Sequence, residues 1–145
     1  MGLIRSGFCA LTPESSEEEL TACLWPIVRE VIKTAVENGQ NLIVEGCYIP
    51  FDWHLEFDAS YRSRIHFWCL IFSLQYIETH YDDIFRYEHM IEKRQSSSSD
   101  YLSRHFLAAI NTHNLNECRR YDHNYILIDS AYDLATIVEE VMASV

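Results

Sequence analysis

Apolar residues along the chain follow two kinds of pattern. Leu20, Leu24, Ile27, Val31 and Ala35 recur every three or four positions, the spacing of one helix face. Before them, Thr12-Pro13-Glu14 and the run Ser15 to Glu19 form a helix start, because proline fits the first turn and carboxylates meet the positive end of the helix dipole. Pro26 lacks a backbone donor and predicts a kink. Asn38-Gly39 predicts the stop, since glycine suits the left-handed cap. Leu42-Ile43-Val44 comes next. It is short, apolar and without alternation, which predicts a buried parallel strand ending at Glu45-Gly46.

Cys47 to Ser63 contains Pro50 and mixed aromatic and polar residues, and predicts a loop with a short helix near Asp52 to Phe57. Ile65 to Phe72 reads as a second apolar strand. Ser73 can cap a helix from about Leu74 to Arg94, with the stripe Leu74, Ile77, Tyr81, Ile84, Phe85 and Met90. Ser96 to Ser99 predicts a mobile loop. Asp100 can cap a further helix with Leu102, Phe106, Ala109, Ile110 and Leu115 as its spine. Asn124 to Asp129 is a third short strand. A last helix, Asp133 to Ala143, would bury Leu134, Ile137, Val138 and Val141. Strands alternating with helices imply an α/β fold with a largely parallel sheet covered on both faces. No repeat is visible, and one domain over 1–145 is expected.

With 48% apolar residues, the chain can bury a real core. Its net charge of −11 disfavours nucleic acid, anionic membranes and highly phosphorylated ligands unless local cations or a metal offset it. Five cysteines form an odd number with no CxxC pair, and Cys23, Cys47 and Cys69, in or next to apolar runs, fit small buried hydrophobes in a reducing compartment, so a cytoplasmic location is expected. No signal peptide is visible, and the apolar run Phe67 to Phe72 is too short to span a membrane. The seven histidines show no HExxH or close pair on one helix, so no metal site is expected.

Ligands of open parallel sheets bind beyond the carboxyl ends of the strands. Glu45 and Asp129 lie at two such predicted ends, and Gly46 would let the backbone approach a ligand. A carboxylate there can hold a magnesium-bound water or take a proton from a hydroxyl; it can equally be a solvated turn cap. Tyr48, Phe51 and Trp53 could wall a base or sugar, or seal a core edge. Lys93, Arg94, Arg104, Arg119 and Arg120 could contact phosphates, or balance acids such as Glu88, Glu92 and Asp100.

The run Asn41-Leu42-Ile43-Val44-Glu45-Gly46-Cys47-Tyr48-Ile49-Pro50 resembles the third strand and following turn of adenylate-kinase-like P-loop kinases, which carry a strand, an acid, a glycine and then a proline. Later parts are similar in order: a strand opening into a helix at Trp68 to Phe72, a basic lid-like stretch within 91–100, a long helix to Tyr121, and the final strand and turn Tyr125 to Ser130. The resemblance covers about residues 14 to 145. It implies a three-layer sandwich with an incomplete doubly wound parallel sheet. It also implies an ATP-dependent phosphotransferase for a nucleotide or small metabolite, with Mg-ATP as cofactor in the intact relative. By the same resemblance Glu45 acts at the magnesium or acceptor end, Gly46, Tyr48 and Asp129 line the site, and Arg86, Arg94 and Arg119 contact phosphate.

The chain departs from that family in one decisive respect. It has four glycines, no Gly-Lys pair and no GxxxxGK[ST] run, whose amides and lysine cradle the phosphates. This suggests a truncated product, a fragment or a relative that lost its first unit, with activity absent or very weak. In the family the phosphate-loop strand lies between the strands matching Leu42–Val44 and Trp68–Phe72. Without it, unpaired edges would recruit a second copy, so a homo-oligomer is expected. The alternative is a non-catalytic oligomeric or regulatory module on the same scaffold.

Overall fold

The computed structural model describes residues 7, 10–12, 15–87 and 103–143. They belong to two compact units, residues 1–65 and 66–145.

The first unit is built on α1, Glu17–Glu37. Its start is a capping box: the Ser16 hydroxyl accepts from the Glu19 amide at 3.3 Å, and the Glu19 carboxylate accepts from the Ser16 amide at 3.0 Å. The helix continues through Pro26 and ends at Asn38, with Gly39 at φ 62°. Leu20, Leu24, Trp25 and Ala35 are buried along one face. Aromatic residues from the following segment supply the rest of this core. Trp53 begins the 3-10 helix Trp53–Glu56, inside the predicted short helix, and is buried with Phe57. Phe57 stands edge-on to both Trp25 (6.1 Å between centroids) and Trp53 (5.8 Å). A single-turn helix, α2, follows at Ala59–Arg62.

Leu42-Ile43-Val44 does not form the predicted strand. Residues 40–46 have no regular structure, and Ile43 is 95% exposed. A strand needs a neighbour for its amides and carbonyls. No strand is described in this unit, and three apolar residues alone cannot hold an extended ladder.

The second unit holds β1, Trp68–Phe72, and β2, Asn124–Ile128, paired in parallel from Trp68↔Asn124 to Phe72↔Ile128. Between them run α3, Leu74–Tyr87, and α4, Arg104–Tyr121; α5, Leu134–Met142, follows β2. One sheet face presents Trp68, Phe72, Ile126 and Ile128 to Tyr76 and Ile84 of α3 and to Ile137 and Val141 of α5. Helix α4 contacts both strands. Ile71, Ile77 and Cys118 are almost fully buried, and each such isoleucine contributes about 1.5–3 kcal/mol relative to an exposed one.

The α/β class therefore holds, with helices packed on a parallel sheet. The doubly wound sandwich does not: among the described residues the sheet has two strands, because the expected first strand is irregular. The lid-like stretch 91–100 lies outside the described residues. No helix among the described residues is long and apolar enough to cross a membrane.

Candidate functional site

Glu45, Gly46 and Tyr48 come together in one turn of the first unit. The Ile49 amide donates to the Gly46 carbonyl at 3.4 Å, closing the turn around Cys47 and Tyr48. The Tyr48 ring folds back over Gly46, and its hydroxyl donates to the Glu45 carbonyl at 2.9 Å. A Cβ on Gly46 would lie 2.1 Å from Tyr48 Cε1. The missing side chain thus makes room for this chain's own tyrosine, where the sequence suggested close approach by a ligand. Burial, then the neighbouring Cys47 and Glu45, push the Tyr48 phenol above its ordinary range. Glu45 is exposed and follows an irregular segment, so it is not a strand tip.

Trp53 seals the small core, as the structural alternative for these aromatics held. Glu56 completes that arrangement. One carboxylate oxygen accepts from the buried Trp25 indole at 2.8 Å, and the other pairs with Arg29. Arg29 also pairs with Glu30 at 3.0 Å, and the two carboxylates hold its guanidinium above its ordinary range, Glu30 contributing most. Nearby, an open groove of about 390 Å³ runs beside Ile27, Val31, Ala35 and Leu42.

The remaining candidates lie in the second unit. Asp129 directly follows β2 and is exposed at the carboxyl end of the strands. There the Ser73 amide donates to the Ile128 carbonyl at 2.9 Å, which ties the two strand ends together. Arg86, in the last turn of α3, is exposed and pairs with Asp83 at 3.5 Å. Arg119 is in the last turn of α4, shortly before β2 begins, so it stands at the amino end of the strands. Five strand residues separate that end from Asp129, roughly 16 Å at the usual rise. Arg119 and Asp129 therefore stand toward opposite ends of the strand pair. Arg94 lies outside the described residues.

Three stacked rings also mark the carboxyl end of β1. Phe72 stacks on Tyr76 at 5.0 Å, and Tyr76 on His80 at 4.3 Å. His80 breaks helical geometry at φ −119°, ψ 18°, and its Nδ1 is 2.8 Å from the Thr79 hydroxyl. Sequence periodicity missed both Tyr76 and this break, because a stripe drawn at Leu74 and Ile77 passes beside Tyr76.

Asn111 was missed as well. It is the buried polar residue of the described chain, 8% exposed. Its Oδ1 accepts from the Phe72 amide at 2.8 Å, while its Nδ2 donates to the Leu107 carbonyl at 2.8 Å. The available signal was a carboxamide beside Ile110 within the apolar spine of a helix.

Among the described residues no group of three or more His, Cys, Asp or Glu side chains could hold a metal ion. Comparison of the chain with protein-family models, with curated proteins and with solved structures finds no match in any of the three.

Proposed function

We propose that the chain carries the scaffold of an adenylate-kinase-like phosphotransferase for a nucleotide or small metabolite, without the phosphate loop such an enzyme needs. The observation that carries this reading is the parallel β1–β2 pair, joined through α-helices and covered by helices, with Asp129 and two serines at its carboxyl end. Asp129 is the residue best placed there for a magnesium-bound water or a hydroxyl proton. Glu45, on an irregular segment of the first unit, lacks the strand-end position on which its acceptor-side role rested. The grip on Mg-ATP would come from backbone amides at a helix start that this sequence lacks.

Titration calorimetry with Mg-ATP tests the proposal. The chain alone should show no binding at millimolar nucleotide, and a strand–loop–helix segment bearing GxxxxGK[ST], added in trans, should restore it. Micromolar binding by the chain alone would overturn the dependence on a supplied loop. A folded chain that the added segment leaves unable to bind would overturn the kinase scaffold.

One observation favours a second reading, a non-catalytic homo-oligomeric module. Ser73 donates to Ile128, so residues 126 and 128 of β2 turn their backbone groups toward β1 and residues 125 and 127 turn theirs outward. Leu127, on this outer edge, is 45% exposed. Edges of this kind recruit other strands. Light scattering on the folded chain distinguishes the outcomes: an oligomer supports the module, and a monomer at every concentration removes it.

A further inference from the structure

The two edges of this sheet are not equivalent, and Asn111 makes the difference. Backbone groups alternate sides along a strand. Ser73 donates toward β2, so Phe72 directs its amide the other way, toward the outer edge of β1. An edge amide normally meets solvent or a further strand. Here the Phe72 amide meets Oδ1 of the buried Asn111 at 2.8 Å.

The geometry of Asn111 suits that task. Its Nδ2 donates to the carbonyl four residues earlier, at Leu107, which holds the amide plane against α4 and turns Oδ1 toward the strand. The two bonds also fix which end of the carboxamide is oxygen: Phe72 needs an acceptor and Leu107 needs a donor. Asn111 Oδ1 therefore occupies the position that the carbonyl of an added strand would take.

We propose that Asn111 is a built-in guard of the outer β1 edge. It saturates the last edge amide and keeps a neighbouring strand from pairing along the full length of Trp68 to Phe72. The strand is uncharged and apolar throughout, and Leu70 is 48% exposed, so this edge has no charged residue to repel a second strand. A side-chain amide from α4 takes that role. The guard does not depend on the phosphotransferase reading.

Two measurements on the full chain test it. Phe72 amide exchange, followed by NMR, should be slow in the wild type and at least tenfold faster in Asn111→Leu, which keeps the bulk and removes the acceptor. Light scattering should show a higher mass for Asn111→Leu than for the wild type at equal concentration. Adding Leu70→Pro should reverse the increase, because the Leu70 amide also faces outward and takes no part in the β1–β2 ladder. A folded Asn111→Leu chain with wild-type mass throughout would overturn the guard, as would an increase that Leu70→Pro fails to reverse. If Asn111→Leu does not fold, the wild type decides: a scalar coupling across the Phe72 amide to the Asn111 side-chain carbonyl is expected, and its absence in the folded chain refutes the contact.

Discussion

Adding one methyl group at Gly46 sets the Tyr48 ring against the backbone beneath it. The new Cβ would sit 2.1 Å from Cε1 and 2.6 Å from Cζ, so the ring must leave. Its departure breaks the hydroxyl bond to the Glu45 carbonyl, a net loss of about 1 kcal/mol. It also exposes part of a half-buried ring, which costs roughly 1–2 kcal/mol more. Alanine offsets some of this by restricting the unfolded chain, by about 0.4–1 kcal/mol, because Gly46 does not need a positive φ. Gly46→Ala should therefore destabilise the first unit by about 1–2.5 kcal/mol. The sign should reverse where the ring is already gone: in a Tyr48→Ala background the same change should stabilise by up to about 1 kcal/mol. Urea unfolding followed by the fluorescence of Trp25 and Trp53 measures all four corners of the cycle. An equal loss from Gly46→Ala in both backgrounds would refute the steric account and point to the backbone itself.

Glu56→Ala should leave the buried Trp25 indole without its acceptor, cost about 1–3 kcal/mol and change tryptophan emission, whereas Glu56→Gln should recover most of the loss. Asp133 caps α5, and its carboxyl lies below the usual range because the Thr136 hydroxyl and the Thr136 and Ala135 amides favour the charged form. A folded-state value below the unfolded one gives stability that is present above the ordinary carboxylate range and lost as pH falls through the folded value. The acid limb of the unfolding midpoint should accordingly flatten in Asp133→Asn. Cys118 is fully buried beside the Cys69 thiol, and burial with that neighbour pushes it up to about 12. A thiol reagent should label exposed Cys47 in the native chain and reach Cys118 only at the unfolding rate; rapid native labelling of Cys118 would contradict the packing.

Most of the regular structure was legible because it is set locally. The helix start within Ser15 to Glu19, the Gly39 stop, the last helix from about Asp133 and the strand at Asn124 are written in residues within a few positions of each element. Boundaries moved: the strand predicted from Ile65 starts at Trp68, where pairing with Asn124 begins, and the helix assigned to Asp100 is described from Arg104, with the Ser103 hydroxyl accepting from the Phe106 amide. Leu42-Ile43-Val44 failed for a different reason. A β-branched run states a preference, but a strand exists only with a partner, and the sequence of the run says nothing about whether one is present. The site shows the same split. That Glu45, Gly46 and Tyr48 form a unit followed from their adjacency. That Gly46 is bare for Tyr48 did not, because a glycine does not show what fills the space beside it. Asn111 and Phe72 are distant in sequence, and their bond depends on how a helix is rotated against a strand.

The pairing of Trp68–Phe72 with Asn124–Ile128 also sets a timetable for synthesis. The contacts of Trp25 with Glu56 and of Glu37 with Tyr61 span 31 and 24 residues, so that core can close early on the ribosome. The first strand of the sheet must wait for its mate. At the usual 5–20 residues per second, translation takes on the order of 3–11 seconds to travel from one strand to the other. Throughout that interval an uncharged aromatic strand lacks its ladder, and for the first part of it lacks Asn111 as well. Nascent chains on neighbouring ribosomes, more than finished molecules, are where this protein is most exposed to mispairing, and slower elongation between residues 72 and 111 should lower its soluble yield.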